Sequence, residues 1–370
     1  MLRIAIHPHL QVRDDSNGAA PLDVSRLVTL LAHIERTGSI RQSCEAIGLS
    51  YRYAWGLLED AQSLFGGPLI DKRRGRGSVL TPLSQQLVWA NKRIAARLSP
   101  TLESLASELE IELKKVLDAS VSALRLHASH GFAVAALRDF LDEHKVRHDL
   151  KYCGSLEAVA ALAAGNCDIA GFHVPIGEFE AETFARFAGW LHPERHCLIH
   201  LAVRTQGLFV ARGNPKQITR LDDLLRPDVR FVNRQVGSGT RLLLDLILRA
   251  RGIDPGRIDG YSNGEFTHAA VAAYIGSGMA DVGFGVETAA RRFGLDFVPV
   301  LKERYFFAME RERLQSPMLA DAVAALTSGG FRERVDALPG YDATLTGTVL
   351  TLPQAFPELQ RALSLQTGAQ

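Results

Sequence analysis

The sequence predicts an α/β protein that opens with a winged helix-turn-helix, continues into a long linker helix and ends in a two-lobed α/β region. Three observations carry that expectation. Between residues 24 and 65, apolar residues at helical period are interrupted only by short turns. A leucine-rich seam then runs unbroken from Pro82 to about Ala119. After residue 120, strand-like and helix-like runs alternate, which implies a parallel sheet covered by helices on both faces.

Each element follows from local signals. The alternating "LRIAIHPHLQVR" reads as one strand and "DDSNGAAPLD" as the turn-rich connection after it. Leu27, Leu30, Leu31 and Ile34 share one face of a first helix that begins near Val24 and stops at "TGS". The short helix "IRQSCEAIGL" ends at Gly48-Leu49, and Ser50 stands where an N-cap would start a third helix, "YRYAWGLLEDAQSLF". The basic stretch "DKRRGRGSVLTPL" has the glycine-rich centre of a hairpin wing. A helix over the following seam would extend about 55 Å at 1.5 Å per residue unless Ser99-Pro100 breaks it. That is more than a small domain needs for itself, and dimerisation explains the length better than packing within the chain.

Farther along, "ALRLHAS", "HDLKYCG" and "CDIAGFHVP" read as strands, with "GFAVAALRDFLDEH" and "SLEAVAALAAG" as the helices between them. A second run, from "RFVNR" through "RIDGYS", "ADVGFGVE" and "DFVPVL", repeats the alternation as a second lobe. Ligands of such sheets sit at the carboxyl ends of strands, where Ser129, His130, Gly154, Ser155 and His173 fall. "FVNRQVGSGTR" runs from a strand through a glycine-rich loop into a helix, an arrangement suited to an anion.

With 370 residues, 46% of them hydrophobic and 22% charged, the chain has ordinary globular composition and room for two or three domains. The formal net charge of +1 hides an asymmetry, because residues 36–98 carry ten Lys/Arg against four Asp/Glu. That excess suggests a polyanionic partner, although a solvated surface also accounts for it. The start shows no signal-peptide core, and no stretch approaches the roughly 18 apolar residues of a membrane span, so a cytoplasmic protein with no membrane partner is expected. Cys44, Cys153, Cys167 and Cys197 form no CxxC pair and read as reduced, buried residues.

Three catalytic or metal readings are set aside. "GSGTR" lacks the spacing and lysine of a P-loop. His192, His196 and His200 tempt a zinc reading beside Cys197, but on a strand such histidines lie roughly 13 Å apart. No GxSxG surrounds Ser129 or Ser155, which disfavours a hydrolase. No metal, cofactor or enzymatic activity is expected.

"GSIRQSCEAIGLSYRYAWGLLEDAQSLFGGPLIDKRRGRGSVLTPLSQQL" closely resembles the winged helix-turn-helix of molybdate-responsive (ModE-type) regulators, itself related to the LysR-type DNA-binding domain. The resemblance covers roughly residues 20–95. It implies a partner in double-stranded DNA, with Ser50, Tyr51, Arg52 and Tyr53 leading into the major groove, assisted by Arg41 and Gln42. Lys72, Arg73, Arg74 and Arg76 of the wing would follow the flanking phosphates or minor groove. The residues support this on their own terms, since arginines and tyrosines at a helix start reach base edges and phosphates. Partial burial of Tyr51 and Tyr53 against the wing is the other reading.

From residue 120 the chain departs from that family and resembles the type 2 periplasmic-binding-protein-like domain. "GSLEAVAALAAGNCDIAGFHVP", "QGLFVARGNP", "NRQVGSGTR" and "VAAYIGSGMADVGFGVE" carry the likeness. It implies two lobes, with the chain crossing near Leu201–Gly207 and Phe297–Tyr305. Small oxyanions in such clefts are held by hydroxyls and helix-start N–H groups. Ser129, His130, Ser155, His173, Arg234, Ser238, Gly239 and Thr240 are the candidates. Arg234 would supply a bidentate fork, or alternatively bridge the lobes. His130 and His173 would donate to the anion or sense pH, or be satisfied interior residues. Arg241 reads as structural, and Glu287 is ambiguous because a carboxylate repels an anion.

These readings place a DNA-binding domain at 1–81, a linker and dimerisation helix at 82–119 and an effector domain at 120–370. Lobe 1 is expected at about 120–203 and 304–370, lobe 2 at about 204–303. The expected function is a homodimeric or homotetrameric transcription regulator controlled by a small anionic effector, either a molybdate- or tungstate-like oxyanion or a small carboxylate such as formate. Its targets would be molybdenum-enzyme genes, formate dehydrogenase among them. An anion-binding or catalytic domain fused to a DNA-binding module is the alternative.

Overall fold

The computed structural model describes residues 3–13, 21–73, 77–117 and 123–357. The chain divides into two compact units, His7–Ser99 and Met1–Ile6 with Pro100–Gln370. In the first, β1 (Gln11–Val12) pairs antiparallel with β2 (Leu22–Asp23). The single strand expected over "LRIAIHPHLQVR" is not formed. Pro8 removes a donor, β2 offers a partner for only two residues, and the Ile4 N–H donates instead to Glu110 at 2.7 Å. Most of the "DDSNGAAPLD" connection lies outside the described residues.

Helix α1 (Val24–Thr37) starts where the Asp23 carboxylate accepts the Arg26 N–H, and it stops at Gly38, whose φ of 66° suits a residue without Cβ. Helices α2 (Ile40–Ile47) and α3 (Tyr51–Phe65) are capped by Ser39 and Ser50. Leu27, Leu30, Leu31, Ile34, Ala54, Leu57 and Leu58 form one buried core beneath them. The wing is β3 (Ile70–Arg73) against β4 (Gly77–Leu80), with residues 74–76 outside the described residues. Its base is tied to the first turn, since the Ser78 N–H donates to the Gly38 carbonyl at 2.8 Å and a Cβ on Gly77 would collide with that same oxygen.

Helix α4 (Pro82–Leu117) continues through Pro100, and the two units meet in sequence there. The Ser99 hydroxyl donates to the Ala95 carbonyl one turn back at 2.7 Å.

The second unit is α/β. Its strands and helices run in order β5 (Leu124–Ala128), α5 (Phe132–Glu143), β6 (His148–Tyr152), α6 (Ser155–Ala163), β7 (Ile169–Pro175), α7 (Glu180–Ala185) and the long β8 (His196–Val210). There follow β9 (Phe231–Arg234), α8 (Gly239–Ala250), β10 (Gly264–Glu265), α9 (His268–Gly276), β11 (Val282–Val286), α10 (Glu287–Arg292) and the long β12 (Asp296–Glu310). Helices α11 (Pro317–Thr327) and α12 (Gly329–Asp336), strands β13 (Tyr341–Asp342) and β14 (Val349–Thr351), and helix α13 (Leu352–Ala355) complete it. "RIDGYS" is not a strand: Gly260, at φ 82°, turns the backbone against the Phe231 carbonyl, and pairing with β9 begins only at Gly264.

Strands β6, β5 and β7 are parallel, as are β10, β9 and β11. The two sets join only through β8 and β12, which are antiparallel to each other over their full length. β12 pairs with β7 from Glu303 to Ala308, and β8 pairs with β11 from Gln206 to Val210. The switch from one lobe to the other therefore falls on residues 203–206 and 301–303. There β12 slips register between Pro299 and Leu301, where proline cannot donate to the ladder. Separate cores lie on either side, one around Leu124, Leu126, Phe140 and Phe331, the other around Phe231, Leu244, Leu248 and Phe284. β13 and β14 both pair with β8, returning the chain to the first lobe.

Candidate functional site

Carboxyl ends of the parallel strands from both lobes face one cleft of about 720 Å³. All eight residues expected to hold ligand line it: Ser129, His130, Ser155, His173, Arg234, Ser238, Gly239 and Thr240. The N-termini of α5, α6, α8 and α9 open on it. Gly131 and Gly154 cap the first two without side-chain bonds, so Ser155 is the first helical residue rather than a cap. Its hydroxyl lies 3.4 Å from His173 Nδ1. Ser238 does cap α8, its oxygen accepting the Arg241 N–H at 3.1 Å.

Arg234 is half-buried at the end of β9. One guanidinium nitrogen donates to the Phe266 carbonyl at 2.8 Å, while Nε is buried without a hydrogen-bond partner. Among the described residues it has no carboxylate partner. Burial and then the charge of Arg204 push it down to about 9, which leaves it cationic at neutral pH. Thr240, buried, accepts from Gln206 Nε2 at 3.3 Å. Arg241 is structural: it pairs with Asp245 at 3.1 Å, donates to the Tyr261 carbonyl at 3.0 Å and stacks over the Tyr261 ring. Glu287 lies apart from the cleft lining and pairs with Arg291.

Sequence reasoning missed three residues here. Arg204 and Glu303 are directly opposed on β8 and β12, both buried, and form an ion pair on the cleft wall. Burial works against the Arg204 charge, but Glu303 and then Tyr341 outweigh it and hold the guanidinium above its ordinary value. The available signal was one charge inside the apolar strand "LAVRTQGLFV" and three in a row inside "VPVLKERYFF", since unpaired charges are not buried there. His268, the third, starts α9 behind its Thr267 cap and lines the cleft. Its Nδ1 is unpartnered and packs on Gly285, where a Cβ would stand 2.5 Å from it.

Burial, followed by the positive charges of the two arginines, holds His173 and His268 well below the ordinary histidine value. Both imidazoles are therefore neutral at pH 7. His173 Nε2 is also buried without a partner. His130 stacks on Tyr152 at 3.9 Å and reaches Ser104 Oγ at 3.2 Å.

In the N-terminal unit, Tyr51 and Tyr53 are 52% and 42% exposed, so burial against the wing does not account for them. Arg52, Arg41, Gln42 and Ser50 are exposed as well. Tyr53 accepts a bond from Arg26, and Arg41 pairs with Glu45 one turn on. Arg74 and Arg76 lie outside the described residues, as do the side chains of Lys72 and Arg73.

These features define a class: a two-lobed, periplasmic-binding-protein-like α/β domain in one chain with a winged helix-turn-helix. Residues 138–327 match the PBP_like family, described as a PBP superfamily domain, and the chain belongs to that family. The uncharacterized protein YvgK of Bacillus subtilis (strain 168) is 36% identical over 203 residues, 54% of this chain and 64% of that protein. ModE of Escherichia coli (strain K12), a DNA-binding transcriptional dual regulator, is 29% identical over 108 residues, 28% of this chain and 41% of that protein. The chain thus spans less than two thirds of either relative's length. Among solved structures, a cysteine mutant of Corynebacterium glutamicum OxyR aligns over 86% of this chain and 95% of its own, at 15% identity and a TM-score of 0.42.

Proposed function

We propose that the protein is a transcription regulator that binds double-stranded DNA through the winged helix-turn-helix and a small anion through the cleft. The observation that carries the cleft reading is Arg234, a cation with a buried, unpartnered Nε among the helix N-termini of α5, α6, α8 and α9. Ser129, Ser155 and Thr240 would add hydroxyl donors. Arg41, Gln42, Ser50, Tyr51, Arg52 and Tyr53 would contact DNA, supported by their exposure and by similarity to ModE, and Lys72, Arg73, Arg74 and Arg76 of the wing would join them, supported by that similarity. The exposed Leu105, Leu109, Leu113 and Val116 of α4 support a homodimer, with or without further pairing to a tetramer. An oxyanion of the molybdate or tungstate type and a small carboxylate such as formate are the effector classes, and molybdenum-enzyme genes the proposed targets.

A thermal-shift panel of molybdate, tungstate, sulfate, phosphate and formate tests the cleft, and a gel shift on the upstream DNA tests the regulator. Loss of one charge-assisted hydrogen bond costs about 1.5–3 kcal/mol, so Arg234→Ala is expected to weaken the strongest ligand at least about tenfold. An unchanged shift in Arg234→Ala would refute the site, and no DNA binding at low salt would refute the regulator.

A further inference from the structure

The groups facing the cleft divide sharply by charge. Arg204 is neutralised by Glu303, and Arg241 by Asp245. Glu157 pairs with Lys151 at 3.0 Å. Arg186 is exposed at the rim, where water screens it. His173 and His268, two of the three imidazoles that line this space, bring donors and acceptors but no charge, and the third, His130, stands beside Glu103 at 3.6 Å. Among the described residues, what remains inside is one cation without a carboxylate partner, Arg234. On the lobe junction itself stands a buried carboxylate, Glu303, whose charge already belongs to Arg204.

We infer that the effector is a monoanion with its charge shared over two oxygens, a monocarboxylate or a singly protonated oxyanion, and not a dianion. The inference rests on the cleft reading above and sharpens it. One negative charge leaves the closed cleft electrically balanced around Arg234. Two would set an unmatched charge in a desolvated space that also holds the Glu303 carboxylate. Helix N-termini attract either anion, about twice as strongly for two charges as for one, but the cost of desolvating an ion grows with the square of its charge, so the balance still favours the monoanion. Neutral imidazoles suit the same ligand. Each can donate to an anion oxygen, and each can accept the proton of a protonated oxyanion, a bond that neither a bare carboxylate nor a dianion offers.

The test uses the full chain and calorimetric titration with sodium formate, sodium sulfate, sodium molybdate and inorganic phosphate, formate and phosphate each at pH 6 and pH 8. Formate, or phosphate at pH 6 where its singly charged form dominates, is expected to bind at least about tenfold tighter than sulfate and molybdate at matched ionic strength. Formate affinity that is tight and equal at the two pH values assigns the carboxylate. Phosphate affinity that falls toward pH 8 while formate fails assigns the protonated oxyanion. Glu303→Gln raises the net charge of the wall by one and is expected to shift the preference toward sulfate. Should that variant not fold, the wild-type ranking decides alone. Sulfate or molybdate binding as tightly as the monoanions, and lost in Arg234→Ala, overturns the inference while leaving the cleft reading intact. Binding of none of the four overturns both.

Discussion

His200 lies within β8 with both ring nitrogens buried and unpartnered, its ring edge-on to Phe306 at 5.2 Å. Burial and the nearby charge of Arg304 push its pKa down to about 4. The folded state therefore resists a proton that the unfolded chain accepts from about pH 6.5 downward. Stability is present above that pH and is lost as pH falls through the window from about 6.5 to 4. His173, His196 and His268 shift in the same direction and steepen the loss. His200→Phe is expected to raise Tm at pH 7 and to flatten the loss by up to about 1.4 kcal/mol per pH unit. Urea unfolding at pH 7, 6 and 5 reads that slope; a slope equal to wild type would show that His200 is not the group concerned. The Arg204–Glu303 pair gives a second expectation. Arg204→Met alone should cost about 3–5 kcal/mol by stranding a buried carboxylate, and adding Glu303→Leu should restore part of it. Additive losses in the double-mutant cycle would refute coupling. Of the cleft residues, those at glycine-rich helix starts were legible in the sequence. Arg204 and Glu303 were not, because only the register of two strands nearly one hundred residues apart makes them neighbours.

At the scale of elements, the helix-turn-helix was legible because its boundaries are chemical. Ser39, Ser50, Gly38 and Gly48 each meet a specific backbone need. Ser50→Ala is expected to cost about 1 kcal/mol by removing the acceptor for the Tyr53 N–H and to weaken DNA binding, since the same turn presents Tyr51 and Arg52. Chemical denaturation and fluorescence anisotropy report the two losses, and intact stability would show the cap to be dispensable. The strand readings at "LRIAIHPHLQVR" and "RIDGYS" failed for a common reason. Alternation describes a chain that could be a strand, whereas a strand also requires a free edge to pair with. In α4, Leu105→Glu with Leu109→Lys is expected to abolish self-association in sedimentation velocity; a persistent dimer would place the interface elsewhere.

For the whole molecule, the strand–helix alternation was enough to expect two lobes, and the resemblance to a periplasmic-binding-protein-like domain implied the crossings near Leu201–Gly207 and Phe297–Tyr305. A Cβ on Gly207 would collide with the Val298 carbonyl and lie 2.7 Å from the Phe297 ring, which ties glycine to the closest approach of β8 and β12. If the winged unit holds DNA chiefly through phosphate contacts, affinity should fall linearly on a log–log plot against salt, with a slope near −0.9 per phosphate neutralised. A flat salt response would exclude that mode of binding. The two crossing strands have a wider consequence. Arg204 and Glu303 line the cleft and sit on the very backbone that joins the lobes, so if the cleft holds the proposed anion, the wall that faces it is also the link between them. Recognition and mechanical stiffness are thereby written in the same few residues. A lineage that retunes this protein to a new signal by altering that wall must also reset how readily the lobes move, and the two traits are expected to evolve together.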